Sequence, residues 1–260
     1  MATGGRLVGR RAIVTGAGSG IGRSVAIAFG REGASVGLVG RRAEPLRETA
    51  ALVTEAGGTA VSLPADVAQE DEIEEAVRAA ERALGGLDTI VGVAGIELYG
   101  DRGDDRVDRV DIATWRAMTE VNFTGMFLTL KHGTRALLRN RGGSIIVTGS
   151  PTAIRGHAFG EFAYSASKAG THGMVRVCAT ELAPEGIRVN CVIPGMIDTP
   201  INAGFFAIPG ARAEAESRIP MKRAGRPDEV AGIYVWLASD EASYTTGAFF
   251  VVDGGQISMC

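Results

Sequence analysis

Thr15-Gly16-Ala17-Gly18-Ser19-Gly20-Ile21-Gly22 decides how this chain folds. The apolar run Ala12-Ile13-Val14 precedes it, and Ile21, Val25, Ala28 and Phe29 follow at helical spacing. A strand, a glycine-rich turn and a helix, in that order, open a βα unit whose turn can hold a pyrophosphate. Gly16 permits the tight turn, and Gly20 and Gly22 let phosphate come close to the backbone. The helix that starts there directs free N–H groups and its positive dipole end at the anion. Gly16, Ser19, Gly20, Ile21 and Gly22 are therefore the expected nucleotide contacts.

The same alternation continues along the chain. Strands are expected at 35–39, 61–63, 89–93, 145–147, 188–192 and 249–252. Helices are expected at 43–56, 70–84, 114–138, 162–182 and 227–237, several of them stopped by glycines such as Gly57-Gly58 and Gly85-Gly86. The strands are apolar on both faces, which calls for a parallel sheet covered by helices on both sides. Residues 101–111 read as a charged surface loop. Residues 196–226, with Pro200, Pro209 and Pro220, read as a long irregular lid or substrate loop. With no repeat and no linker, residues 1–260 are expected to form a single domain.

Composition narrows the class. A formal net charge of -3 with no basic stripe argues against nucleic acid as a partner. No apolar run approaches the roughly 20 residues of a membrane span, so no membrane partner is expected. Met1 to Arg6 lacks the apolar stretch of a signal peptide, and Cys178, Cys191 and Cys260 have no metal-ligand spacing. A cytoplasmic, metal-free protein is the expectation.

The end of the second strand discriminates between dinucleotides. An acidic side chain there would bond the ribose hydroxyls of NAD. Here Gly40 is followed by Arg41 and Arg42. A guanidinium can grip a 2′-phosphate with two charge-assisted bonds. The expected cofactor is NADP(H), with NAD(H) as the alternative; Arg41-Arg42 could instead be a solvated pair, and Ser19 adds no second basic contact. Asp66, after the third strand, could bond the adenine amino group or cap the next helix.

Tyr164 and Lys168 stand four residues apart on an expected helix, hence on one face. Hydride transfer to a carbonyl leaves an alkoxide that needs a proton. A tyrosine can supply it if its pKa falls about three units, roughly 4 kcal/mol. An ammonium about 4 Å away provides a similar amount at an effective dielectric near 20, and an oxidised nicotinamide would add to it. Ser150, just beyond the 145–147 strand, can donate to the developing oxyanion. Asn122 is a polar amide inside a long helix, where it could bind a water linking Lys168 to solvent or bond nearby backbone.

These residues, together and in this order, resemble the short-chain dehydrogenases/reductases over nearly the whole chain. The resemblance rests on Thr15 to Gly22, Asp66-Val67, Val121-Asn122 with Gly125, and Ser150, Tyr164 and Lys168. Arg188-Val189-Asn190, Pro194-Gly195 with Thr199, and Asp253-Gly254-Gly255 complete it. It implies a single-domain α/β fold: a Rossmann-like, doubly wound parallel sheet of about seven strands. It implies NAD(P)-dependent interconversion of a secondary alcohol and a ketone on a small molecule. Tyr164 would be the acid/base, Lys168 its pKa depressor and a ribose ligand, Ser150 the substrate-orienting group and Asn122 the support of a proton relay. Val67, Ala94, Gly95, Pro194, Gly195, Ile197 and Thr199 join the expected cofactor contacts. A homotetramer, paired through the two long helices and the C-terminal segment, is also implied.

There are departures from the family pattern. Gly92-Val93-Ala94-Gly95 stands where the family has Asn-Asn-Ala-Gly, which removes two bracing amides. The Ser150-to-Tyr164 interval is one residue longer than usual, and Pro151 follows the serine. The expected substrate pocket draws on Ile96, Pro151, His157, Phe159, Phe162, Met196, Phe205, Phe206 and Ile208 and is mostly apolar. A catalytically silent, cofactor-sensing regulator on the same fold is the alternative function, against which the intact Ser150, Tyr164 and Lys168 argue.

Overall fold

The structure, a computed structural model, describes residues 4–99, 104–156 and 161–258. All seven expected strands form: β1 (Arg11–Thr15), β2 (Ser35–Gly40), β3 (Thr59–Pro64), β4 (Thr89–Gly92), β5 (Gly143–Thr148), β6 (Ile187–Pro194) and β7 (Phe249–Val252). They make one parallel sheet in the order β3-β2-β1-β4-β5-β6-β7. The chain reverses its winding between β1 and β4, and ligands bind at the carboxyl ends of strands flanking such a reversal.

Alternate strand residues feed two apolar layers. Val14, Leu38, Val91, Ile146 and Val192 pack on one face, under α1 (Gly20–Arg31), α2 (Ala43–Glu55) and α9 (Pro227–Ala238). Ile13, Val39, Ile90, Ile145 and Val189 pack on the other, under α3 (Glu70–Leu84), α5 (Gly125–Arg139) and α6 (Phe162–Leu182). Every strand between the edges is thus sealed on both faces, which is why its sequence is apolar without alternation.

Two expected segments differ in detail. The helix expected from Thr114 onwards is α4 (Ile112–Thr119), joined to α5 by one wide π turn, Glu120–Thr124, that contains Asn122. The 196–226 segment is not irregular: it holds α7 (Ala203–Phe206) and α8 (Ala211–Ser217). Its base is clasped by Asp198 N–H donating to Gly225 O at 2.8 Å and Gly225 N–H donating to Met196 O at 2.9 Å. Prolines punctuate the segment without preventing short helices: Pro200 opens a 3₁₀ turn, and Pro209 and Pro220 stand in turns on either side of α8.

Candidate active site

A cleft of about 700 Å³ lies at the carboxyl ends of the central strands, and a smaller one of about 150 Å³ adjoins it. Gly16, Ser19, Ala94 and Gly95 line both. The expected residues Gly20, Ile21, Gly22, Pro194, Gly195, Ile197 and Thr199 line the larger cleft, and Arg41, Asp66 and Val67 the smaller.

The glycine turn fits a dinucleotide phosphate. Gly16 has φ +69°, and a Cβ there would stand 2.9 Å from the Ala94 backbone. A Cβ on Gly22 would stand 2.3 Å from Gly16 O. Ser19, the N-cap of α1, is extended and gives the helix no side-chain cap, and the first turn holds no acidic residue. The free N–H groups of α1 therefore face the cleft without an internal acceptor.

At the smaller cleft Gly40 ends β2, and Arg41 and Arg42 are exposed. No carboxylate pairs with either guanidinium among the described residues. Asp66 is not the cap of α3, because Gln69 holds that position. Its Oδ1 instead accepts from Ala68 N–H at 3.0 Å, which fixes a local turn at the cleft edge. The bracing lost with the Gly92-Val93 departure is partly supplied by Thr15, whose Oγ1 accepts from Val93 and Ala94 N–H at 3.2 and 3.3 Å. A Cβ on Gly92 would lie 2.6 Å from Met126 Sδ, so the Met126 side chain would have to shift to admit one.

Ser150, Tyr164 and Lys168 converge on the larger cleft. The Ser150 and Tyr164 hydroxyls are in hydrogen-bonding reach of one another. Ser150 Oγ also accepts from Thr152 N–H at 3.2 Å, so it caps a short 3₁₀ turn while facing the cleft. Lys168 is buried, and its Nζ donates to Thr148 O at 3.1 Å. Asn122 is fully buried: Oδ1 accepts from Ile96 N–H at 2.8 Å and Nδ2 donates to Ile96 O at 2.9 Å. The amide thus braces the segment after β4 that carries Gly95, close to Lys168, and the π turn sets it at that level.

The expected lowering of the Tyr164 pKa by Lys168 is not what the chain alone provides. Burial, then Glu97 and Glu161, push the phenol above its ordinary value, and only the Ser150 hydroxyl pulls it down. Burial lowers Lys168 to about 8. One dry pocket disfavours both charged forms at once.

Several residues escaped the reading of the sequence. Glu97, Tyr99 and Glu161 line the larger cleft, so one wall of a pocket expected to be mostly apolar is carboxylic. Asp104, in the stretch expected to be a surface loop, accepts from Ala163 and Tyr164 N–H at 2.9 and 2.7 Å and so caps α6 from outside the helix. His172 accepts at Nε2 from Ser150 N–H at 3.4 Å; burial depresses its pKa to about 4, which keeps the ring neutral. Pro151, Met196 and Phe205 line the larger cleft as expected. Ile96 lines the smaller cleft instead, Phe162 packs on Trp115, Phe206 packs under Arg212, and Ile208 is exposed. These side chains lie on elements whose rotation no periodicity specified. His157 and Phe159 lie outside the described residues. Among the described residues no cluster could hold a metal ion, and no helix is long and apolar enough to cross a membrane.

A family model described as Enoyl-(Acyl carrier protein) reductase matches residues 16–256. The chain is 39% identical over 253 residues to 3beta-hydroxysteroid dehydrogenase 1 of Eggerthella lenta, covering 96% of this chain and 94% of the relative. It is 38% identical over 250 residues to cis-4-hydroxycyclohexanecarboxylate dehydrogenase of Sinomonas cyclohexanicum, covering 96% and 97%. The crystal structure of a short-chain type dehydrogenase/reductase from Mycobacterium marinum matches with TM-score 0.90 and 35% identity, covering 96% of each chain. With such a sheet and cleft, the chain belongs to the short-chain dehydrogenase/reductase family. It is an NAD(P)-dependent oxidoreductase of alcohols and ketones.

Proposed function

We propose that this chain, working as one domain, interconverts a small secondary alcohol and its ketone with NADP(H) preferred over NAD(H). The observation that carries the reading is the convergence of Ser150, Tyr164 and Lys168 on a cleft continuous with the glycine turn. A dinucleotide held at the glycine turn would supply or accept the hydride. Tyr164 Oη gives the substrate oxygen its proton in reduction and takes it in oxidation. Ser150 Oγ donates to the same oxygen and holds it beside Tyr164. Lys168 would hold the cofactor ribose and lend positive charge to the phenolate. Asn122, by bracing Ile96, keeps that end of the cleft in register and supports a proton path from Lys168.

Cofactor preference rests on Arg41, exposed at the rim of the small cleft and without a carboxylate partner among the described residues. The names of the two relatives, a steroid dehydrogenase and a hydroxycyclohexanecarboxylate dehydrogenase, support a ring-bearing alcohol or ketone. Assembly as a homotetramer and a cytoplasmic location complete the proposal. A panel of cyclic and open-chain alcohols and ketones, offered with each cofactor and followed by the absorbance of reduced nicotinamide, tests it. Turnover of a secondary alcohol or ketone, faster with the phosphorylated cofactor, is expected. No turnover with either cofactor would overturn the activity, and faster turnover with NAD(H) would overturn the preference.

A further inference from the structure

The carboxylic wall of the larger cleft is not used by any step above. Glu97 follows β4 and Glu161 precedes α6, and the two face one cavity together with Tyr99, Ser150 and Tyr164. Glu97 Oε1 and Glu161 Oε2 are shielded from solvent and have no hydrogen-bond partner among the described residues. The remaining reach of the Glu97 carboxyl is to the Tyr99 hydroxyl and the Glu161 carboxyl. One oxygen of each carboxyl is thus buried without a partner, which is unfavourable in general, so a ligand that satisfies both is called for. Pro151, Met196 and Phe205 line the same cavity, so the ligand body is apolar in part.

We propose that Glu97 and Glu161 bind a hydroxyl group of the substrate other than the one that reacts, so that the substrate is a neutral diol or polyol. The inference rests on the activity proposed above and names its substrate class. Charge balance selects a neutral ligand over an ammonium. Lys168 lines the same cleft and lies within electrostatic reach of Glu97, so a cation already faces the pair, whereas Arg218 is engaged by Glu214. Crowding and burial push Glu97 up to about 8, so the pair holds a proton near neutrality. It can then donate one hydrogen bond and accept others, as a hydroxyl requires. A ligand hydroxyl that replaces the missing partners is selected strongly, because an analogue lacking it leaves buried polar groups unpaired.

The test compares cyclohexanol, the cyclohexanediols and 4-aminocyclohexanol as substrates of the whole protein and of Glu97→Met and Glu161→Met. Methionine has a similar length, carries no donor, and relieves the buried charge, so folded variants with an unreduced melting temperature are expected. In the unaltered protein kcat/KM for the best diol should exceed that for cyclohexanol at least about tenfold, mainly through KM. Each variant should bring that ratio towards one. A diol-to-cyclohexanol ratio near one, an unmoved ratio in both variants, or a preference for the amino alcohol would overturn the inference while the proposed activity stands. Failure to turn over any alcohol or ketone would overturn the activity and this inference with it.

Discussion

At the scale of single residues, the pocket sets charged groups against burial. Glu97 is pushed from 4.5 up to about 8, chiefly by burial and then by Glu161. The folded chain therefore holds this proton more tightly than the unfolded chain. The stability it contributes is complete below about 4.5 and is lost as pH rises through about 8. His172, lowered from 6.5 to about 4, acts with the opposite sign between those two values and is neutral in both states above 6.5. Lys168, lowered from 10.5 to about 8, imposes a constant penalty until pH nears 8. Between 6.5 and 8 the melting temperature should thus fall, and in Glu97→Gln it should fall less. A parallel decline in the two proteins, followed by calorimetry, would remove Glu97 from the account. Arg41 makes a second residue-scale case. Replacing Arg41 by Ala should weaken NADPH by about tenfold or more, the value of a lost charge-assisted pair, and NADH far less. Titration with both cofactors reads the difference, and equal losses would contradict the assignment.

At the scale of elements, the helix that carries Tyr164 and Lys168 is held from outside. Glu161 gives α6 no side-chain cap, and Asp104 supplies the acceptor for Ala163 and Tyr164 N–H. Asp104→Ala should cost about 0.5–2 kcal/mol of stability, the ordinary value of a lost cap. It should also lower kcat, because Tyr164 N–H is one of the two groups released. Asp104→Asn keeps an acceptor for only one of the two N–H groups, which bond to different carboxylate oxygens, so it should recover part of both. Thermal melts and steady-state kinetics on the pair check this, and an unaltered kcat in the alanine variant would show that the cap does not position Tyr164. Much of this level was legible in the sequence. The inner strands were visible because they are buried on both faces, the two edge strands by their short apolar runs, and the glycine turn because its backbone admits no side chain. Asp104 was hidden because a cap donated from about sixty residues upstream leaves no local signature. Glu97 and Glu161 were hidden for a related reason: both stand at loop or helix ends, where spacing does not fix direction, and glutamates usually face water.

At the scale of the whole molecule, strand order brings together residues far apart in the chain. Gly16 after β1, Gly95 after β4, Ser150 after β5 and Pro194 at the end of β6 meet only because those strands are neighbours in a parallel sheet. The outer faces of the π turn and of α5 and α6 leave Phe123, Phe127 and Val177 exposed, which supports the proposed pairing of the long helices. Phe127→Glu should shift a tetramer to smaller species in light scattering, and an unchanged mass would place the contact elsewhere. The order of motifs made the family legible, whereas the substrate wall became visible only once the sheet had folded. The central claim is that Tyr164 moves the proton in this cleft, and Tyr164→Phe tests it most directly, with turnover and cofactor affinity measured on the same preparation. Turnover should fall by at least about 10²-fold while cofactor binding changes little; a variant that turns over substrate as the unaltered protein does would contradict the account.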